Sequence, residues 1–115
     1  MSFQNQFTKT TTDANLMETV HHGSAEYPFR YYYENIALFD FKCIDWHWHS
    51  ELEFIYIESG NVVFDIGTVH FELNEGNGIM INSKILHRLQ SSSDAIIPNF
   101  LFQPSFIAPQ DSLIY

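Results

Sequence analysis

Apolar and polar positions change rhythm near Tyr27. Residues 1–26 are polar and Thr-rich, without sheet-like alternation. Beyond them, short stretches alternate with the period of two that sends successive side chains to opposite faces of a β-strand. YYYENIALFDFKCI is aromatic and β-branched. Its middle alternates, with Phe39, Phe41 and Cys43 on one face and Asp40 and Lys42 on the other. EFIYIE reads as a strand, followed by a tight hairpin turn at Ser59, Gly60 and Asn61. NVVFDI puts Val62, Phe64 and Ile66 on one side, and Gly67 and Thr68 turn the chain. VHFEL then points Val69, Phe71 and Leu73 inward and His70 and Glu72 outward. NEGNG turns again, ahead of GIMI, ILHRLQ and AIIPNFLF.

Strands this short, spaced about eight to ten residues apart and joined by Gly and Asn turns, indicate an all-β antiparallel sandwich or barrel. No helical period competes after residue 27, and SSSD at 91–94 reads as a loop. In the N-terminal arm, DANLMETVHHG reads either as a short helix or as a flexible arm. The helix would be capped by Asp13, carry Leu16, Met17 and Val20 on one face, and end at Gly23. His21 and His22 read as solvated side chains of that arm. The expected organisation is an arm over 1–26 and a β-barrel over 27–115.

A chain of 115 residues fits one domain and buries about two thirds of its unfolded surface, so it folds without disulfide or metal. Fourteen acidic against five basic residues leave a net charge of −9. Lys9, Arg30, Lys42, Lys84 and Arg88 are scattered, which excludes the clustered positive surface that nucleic acid requires. Cys43 is the single cysteine, which excludes an internal disulfide and reads as a small buried hydrophobe in a reducing compartment. No apolar run approaches the roughly 18 residues of a membrane span. A soluble cytoplasmic protein is the expectation.

Chemistry concentrates in DWHWHSELEFIYIESG, residues 45–60. Alternation carried on from Phe39 puts His47 and His49 on the inner face, side by side, because residues two apart share a face. Trp46 and Trp48 then point outward, either under an adjoining segment or as a dimer patch. Glu53 opens the next strand, and His87 shares an inward face with Leu89 while Arg88 and Gln90 face out. Three imidazoles and a carboxylate inside a barrel make a donor set for a divalent transition metal such as Zn, Ni, Fe or Mn. The same four side chains can instead satisfy one another by hydrogen bonds or hold a polar ligand directly. Both readings stand at this point.

His47-x-His49, three residues, Glu53, six residues, Gly60 resembles the first motif of the cupin superfamily, and Gly76 with His87 ten residues beyond it has the spacing of the second. The longer stretch HWHSELEFIYIESGNVVFDIGTVHFELNEGNGIMINSKILH resembles the N-terminal sensor domain of AraC-type transcription regulators, closely from about Asp45 to Leu89 and more loosely over 27–103. There are departures. Phe41 stands where the first motif begins with Gly. Asn82 and Lys84 replace the Pro and Gly of the second, and Ser91 its Asn. They weaken an enzymatic reading and leave all four ligand positions filled.

The resemblance implies a jelly-roll barrel that binds a small-molecule effector, a sugar among the expected classes, through His47, His49, Glu53 and His87, directly or through a metal. It implies DNA contact only through a C-terminal domain of two helix-turn-helix units that these 115 residues do not contain, and it allows a homodimer. On this reading the chain is not an enzyme. The competing readings are a metal-dependent cupin enzyme of the dioxygenase, decarboxylase or sugar-isomerase type and a stand-alone binding cupin. The enzyme needs a further acid or base, for which Glu51, Glu53 and Tyr56 are the candidates. The polar arm is expected to close over the barrel mouth.

Overall fold

The computed structural model of the protein describes residues 8–20, 22–23 and 28–107. Eight strands follow in chain order: β1 (Phe29–Asn35), β2 (Cys43–His47), β3 (Leu52–Tyr56), β4 (Asn61–Ile66), β5 (Val69–Asn74), β6 (Gly78–Ile81), β7 (His87–Gln90) and β8 (Ile96–Phe102). One helical turn, α1 (Pro104–Ile107), comes after them. The strands make two four-stranded antiparallel sheets, ordered β1-β8-β3-β6 and β2-β7-β4-β5. This is the all-β antiparallel class that the alternation indicates, in the jelly-roll form that the cupin resemblance implies. No described helix is long and apolar enough to cross a membrane.

Inward positions change character along the barrel. Ile36, Ile55, Ile57, Val62, Phe64, Ile81, Leu89, Ala95 and Ile97 pack as one buried apolar cluster. On the same inner faces, one step along each strand, sit Glu53 before Ile55 on β3, His87 before Leu89 on β7 and Asn99 after Ile97 on β8, all buried. Period two therefore gives each strand both a share of the apolar core and a polar residue at the barrel's open end.

The stretch from Ile36 to His47 differs from the uninterrupted strand expected. Two single-turn 3-10 segments, Ile36–Leu38 and Asp40–Lys42, precede β2. Phe39 is buried as expected, but Phe41 has a left-handed backbone (φ 60°) and is 98% exposed. Ile44, rather than Cys43, reaches the interior cavity, and Cys43 is half-buried. The pairing of β2 with β7 then slips between Ile44 and His47. A slip of this kind places an extra residue in one strand and reverses its phase, so His47 returns to the inside.

Two further expectations change. Ser59–Asn61 is not a hairpin turn, because β3 and β4 lie in different sheets. It is a corner where the chain switches sheets, with Ser59 bridged to Ile96. Gly60 has φ 80°, and a Cβ there would lie 3.0 Å from Ala95 Cα. The true hairpin is β4–β5 around Gly67 and Thr68, and Val69, beside that turn on the edge strand, is 57% exposed rather than inward.

The arm forms no helix over residues 8–20. Asp13 does act as a cap, but of a tight loop: its Oδ1 accepts from the backbone N–H of Asn15 (2.8 Å) and Met17 (3.1 Å). Thr12 bridges Glu18, Met17 bridges Trp48, and the Trp48 indole N–H donates to the Asn15 carbonyl at 3.0 Å. Backbone groups that a helix would satisfy internally are met instead by the end of β2. Trp48 thus packs under an adjoining segment, and the Arg88 guanidinium lies over the Trp46 ring at 4.9 Å. His22 is 4% exposed, not solvated; His21 lies outside the described residues.

Phe41 and Lys84 both stand where the cupin motifs carry Gly, and both hold positive φ, 60° and 63°. Non-glycine residues are strained there, and neither buries its side chain. Phe41→Gly and Lys84→Gly are each expected to raise unfolding stability by about 1 kcal/mol. Gly60→Ala, which meets both the φ restriction and the Ala95 backbone, should lower it by about 1–3 kcal/mol. Urea unfolding midpoints test all three, and equal midpoints for Gly60→Ala and the parent chain would contradict the corner geometry.

Candidate functional site

The four residues singled out in the sequence converge. His47, His49, Glu53 and His87 are all buried, and each offers a ligand atom within 4.8 Å of the others. Strand pairing explains the meeting: His47 of β2 lies opposite His87 of β7, and the facing sheet supplies Glu53 from β3. The rings of His47 and His87 are 4.1 Å apart between centroids, and His49, just beyond β2, closes the group at 5.6 and 5.1 Å.

The outer nitrogens of the rings are already occupied. Nδ1–H of His47 donates to the Asp45 carbonyl (2.7 Å), that of His49 to Glu51 (3.0 Å) and that of His87 to Ile85 (2.7 Å). Each bond fixes the ring and leaves Nε2 as the inward atom. Nε2 of His49 and of His87 both meet Glu53 Oε1 at 3.2 Å. Burial opposes charge on His49, but the hydrogen bond and charge of Glu53 outweigh it and raise its pKa to about 9. Burial likewise opposes charge on Glu53, and its two imidazole partners overcome this and hold it well below the usual carboxylate range. Burial and the neighbouring His87 lower His47 to about 4. Without a metal, Glu53 is held by imidazolium. With one, three oriented Nε2 atoms and a carboxylate oxygen are the donor set a divalent cation takes. The residues fit such an ion.

Beside this group lies a small cavity of about 40 Å³, lined by His47, His49 and Glu53 and open at its mouth; His87, fully buried, is not among its lining residues. Its lining includes residues that the alternation did not single out: Glu18, His22, Tyr32, Glu34 and Asn99. His22 contacts Glu18 and bonds the Tyr32 hydroxyl at 2.6 Å, and its backbone N–H donates to Glu51 Oε2 at 3.1 Å. Glu18 Oε2 stands 3.9 Å from His47 Nε2. Burial pushes the Tyr32 phenol up to about 12 and the Glu34 carboxyl up to about 8, the latter despite a hydrogen bond from Asn99. Of the acid/base candidates, Tyr56 is exposed on β3, and Glu51 is buried with one oxygen engaged by the His22 N–H. A signal for the missed residues exists: Tyr32, Glu34 and Ile36 share one phase, and so do Ile97, Asn99 and Leu101. The arm residues carry no such signal.

The chain matches the family model for the AraC-like ligand binding domain over residues 32–108. It is 33% identical over 101 residues to an uncharacterized HTH-type transcriptional regulator, YdeC, of Bacillus subtilis (strain 168). That match covers 86% of this chain and 35% of the regulator, so the chain spans about a third of its relative's length. Solved structures with the same fold include an RmlC-like cupin from Shewanella frigidimarina NCIMB 400 (TM-score 0.59, 15% identity, 75% of this chain and 72% of that one). A predicted oxalate decarboxylase from Thermotoga maritima is also similar (TM-score 0.50, 20% identity, 53% and 56%). With the family model covering most of the barrel and the cupin fold shared, this chain belongs to the AraC-like ligand-binding domain family.

Proposed function

We propose that the chain is the small-molecule-sensing domain of an AraC-type transcription regulator, with the effector bound inside the barrel. The observation that carries this reading is the cluster of His47, His49, Glu53 and His87, the first three of which line a cavity of a ligand-binding-family fold while His87 is fully buried beside them. The family match and the regulator relative favour sensing over catalysis. An effector acts by preferring one arrangement of the domain over another, and it shifts the equilibrium only by that difference in affinity. DNA contact then belongs to a separate domain, consistent with a net charge of −9 on this one. Residues 9–11, 18, 20 and 22 line the cavity, which supports a role for the arm in covering the effector. Homodimer formation is part of the same proposal.

His47, His49, Glu53 and His87 would also hold a divalent cation such as Zn, Ni, Fe or Mn. When bound, it would supply a Lewis-acidic contact for an effector oxygen or nitrogen. The protein's own part is to orient the Nε2 atoms through the three backbone carbonyls.

Three outcomes are expected. Translation of the reading frame beyond Tyr115 should give two helix-turn-helix units; a frame ending near Tyr115 would overturn the regulator reading. In a reporter strain carrying the intact regulator, Glu53→Gln or His87→Gln should reduce effector sensitivity about tenfold or more, equivalent to about 1.4 kcal/mol. An unchanged dose response would remove these residues from the effector site. Zn or Ni at about a hundred times its Kd should stabilise the metal-free chain by about 2.7 kcal/mol. That gain should vanish in Glu53→Gln, and metal analysis finding no ion bound to the parent chain would refute the metal site.

A further inference from the structure

The carboxyl groups in the cavity are not equally provided for. Glu53 is met by His49 and His87, and Glu18 by His22 and, at 3.9 Å, by His47. Glu34 is 7% exposed and, among the described residues, has a hydrogen bond only from the neutral amide of Asn99, whose Nδ2 donates to Oε1 at 2.7 Å. Among the described residues, the one Lys or Arg that lines the cavity is Lys9, itself exposed, and the exposed Arg30 interacts with the lining Tyr32 rather than with Glu34.

Asn99 is unbalanced in the same direction. Its Nδ2 also donates to the Ile97 carbonyl at 2.9 Å, and because a carbonyl only accepts, this bond fixes which way round the amide sits. Asn99 Oδ1 is then left buried without a partner, on a residue 2% exposed. A buried acceptor of this kind calls for an explanation, since nearly all such atoms are satisfied. Asn99 and Glu34 sit on the paired strands β8 and β1, so an unmet acceptor and a carboxyl without a cationic partner share one wall of the cavity.

A carboxylate or phosphate offers this wall no donor and adds a second negative charge. A hydroxyl offers one donor and no charge. An ammonium offers several N–H groups and the missing positive charge. Building on the effector-binding reading above, the geometry points to an effector that carries an amine, seated with its N–H groups on Asn99 Oδ1 and the Glu34 carboxylate. The rest of the molecule faces the histidine cluster. The raised pKa of Glu34, caused by burial and then by the charges of Glu53 and Glu18 against the opposing Asn99 bond, agrees with this. A cationic amine pairs with the carboxylate through N–H···O bonds, with no covalent bond made or broken.

Three probes of one size separate the chemistries: propylammonium, propan-1-ol and propionate, added to the intact chain at equal concentration and ionic strength. Propylammonium should raise the melting temperature and shift the Asn99 side-chain amide resonances, with propan-1-ol weaker and propionate silent. Glu34→Gln, which keeps the size and the acceptor for Asn99, should weaken propylammonium binding about tenfold or more, the effect of one lost charge-assisted bond. Should that variant unfold, the Asn99 amide shift in the parent chain reads the same contact. Stronger binding of propan-1-ol or propionate overturns the amine while leaving a sensing cavity in place. Equal propylammonium affinity in Glu34→Gln, or no response to any of the three, also overturns it. The effector-binding reading itself is decided separately, by the reporter response of Glu53→Gln and His87→Gln.

Discussion

A buried carboxylate cannot keep its charge in a protein interior without a partner, and Glu53 sets that condition for this barrel. Its partners come from elsewhere. Glu53 stands on β3, between Ile81 of β6 and Leu101 of β8, in one sheet. His87 comes from the other sheet and His49 from the connection beyond β2. The ion group therefore exists only when the two sheets face each other in the right register, and it ties that register to the site. A one-residue slip of β7 would turn His87 out and Arg88 in. The inverse holds too. Removing one partner leaves a buried charge uncompensated, which costs far more than the net value of the intact pair.

The three imidazoles are held as well as positioned. Each spends its Nδ1–H on a carbonyl two residues away, at Asp45, Glu51 and Ile85. Ring orientation is thus set by local backbone, before any ligand arrives, and an incoming ion or effector meets Nε2 atoms that need no reorganisation. That order also explains how the cavity divides. The histidine side is furnished with its own donors and charges. The β1–β8 side, with Glu34 and Asn99, leaves an acceptor unmet beside a carboxyl that has no cationic partner among the described residues. A ligand bridging the two sides meets opposite chemical demands at its two ends.

Much of this was legible in the sequence because it follows from period two. The strands and the fold class follow directly from the alternation of Val62, Phe64 and Ile66 or of His87 and Leu89. The histidine pair is more instructive. Alternation extended from Phe39 through Phe41 and Cys43 reaches the right residues, yet its intermediate steps do not hold. A left-handed kink at Phe41 and Lys42 throws the phase off, and the slip between Ile44 and His47 restores it. Two irregularities cancel. The same blindness explains Ser59–Asn61: a Gly turn between strands looks alike whether the next strand pairs with the last or crosses to the other sheet. Only the pairing of β3 with β6 and β8 decides it.

What stayed hidden has one physical origin. The arm has no period of its own because its order is borrowed: the Leu16 carbonyl accepts from the Trp48 N–H, the Glu18 N–H donates to the Trp48 carbonyl, the Asp45 N–H donates to the Thr10 hydroxyl, and the Asp40 N–H to the Thr8 carbonyl. Polar, Thr-rich sequence suits that role, since it supplies side-chain and backbone partners without demanding a hydrophobic face. Glu18 and His22 reach the cavity only through these long-range bonds. Glu34 and Asn99 differ, for each is a polar residue in the inward phase of an apolar strand. A strand gains nothing in stability by placing an amide with an unmet oxygen, or a carboxyl without a counter-charge, where isoleucine would pack. Their presence on the inner face is therefore better explained by what enters the barrel than by how the barrel folds.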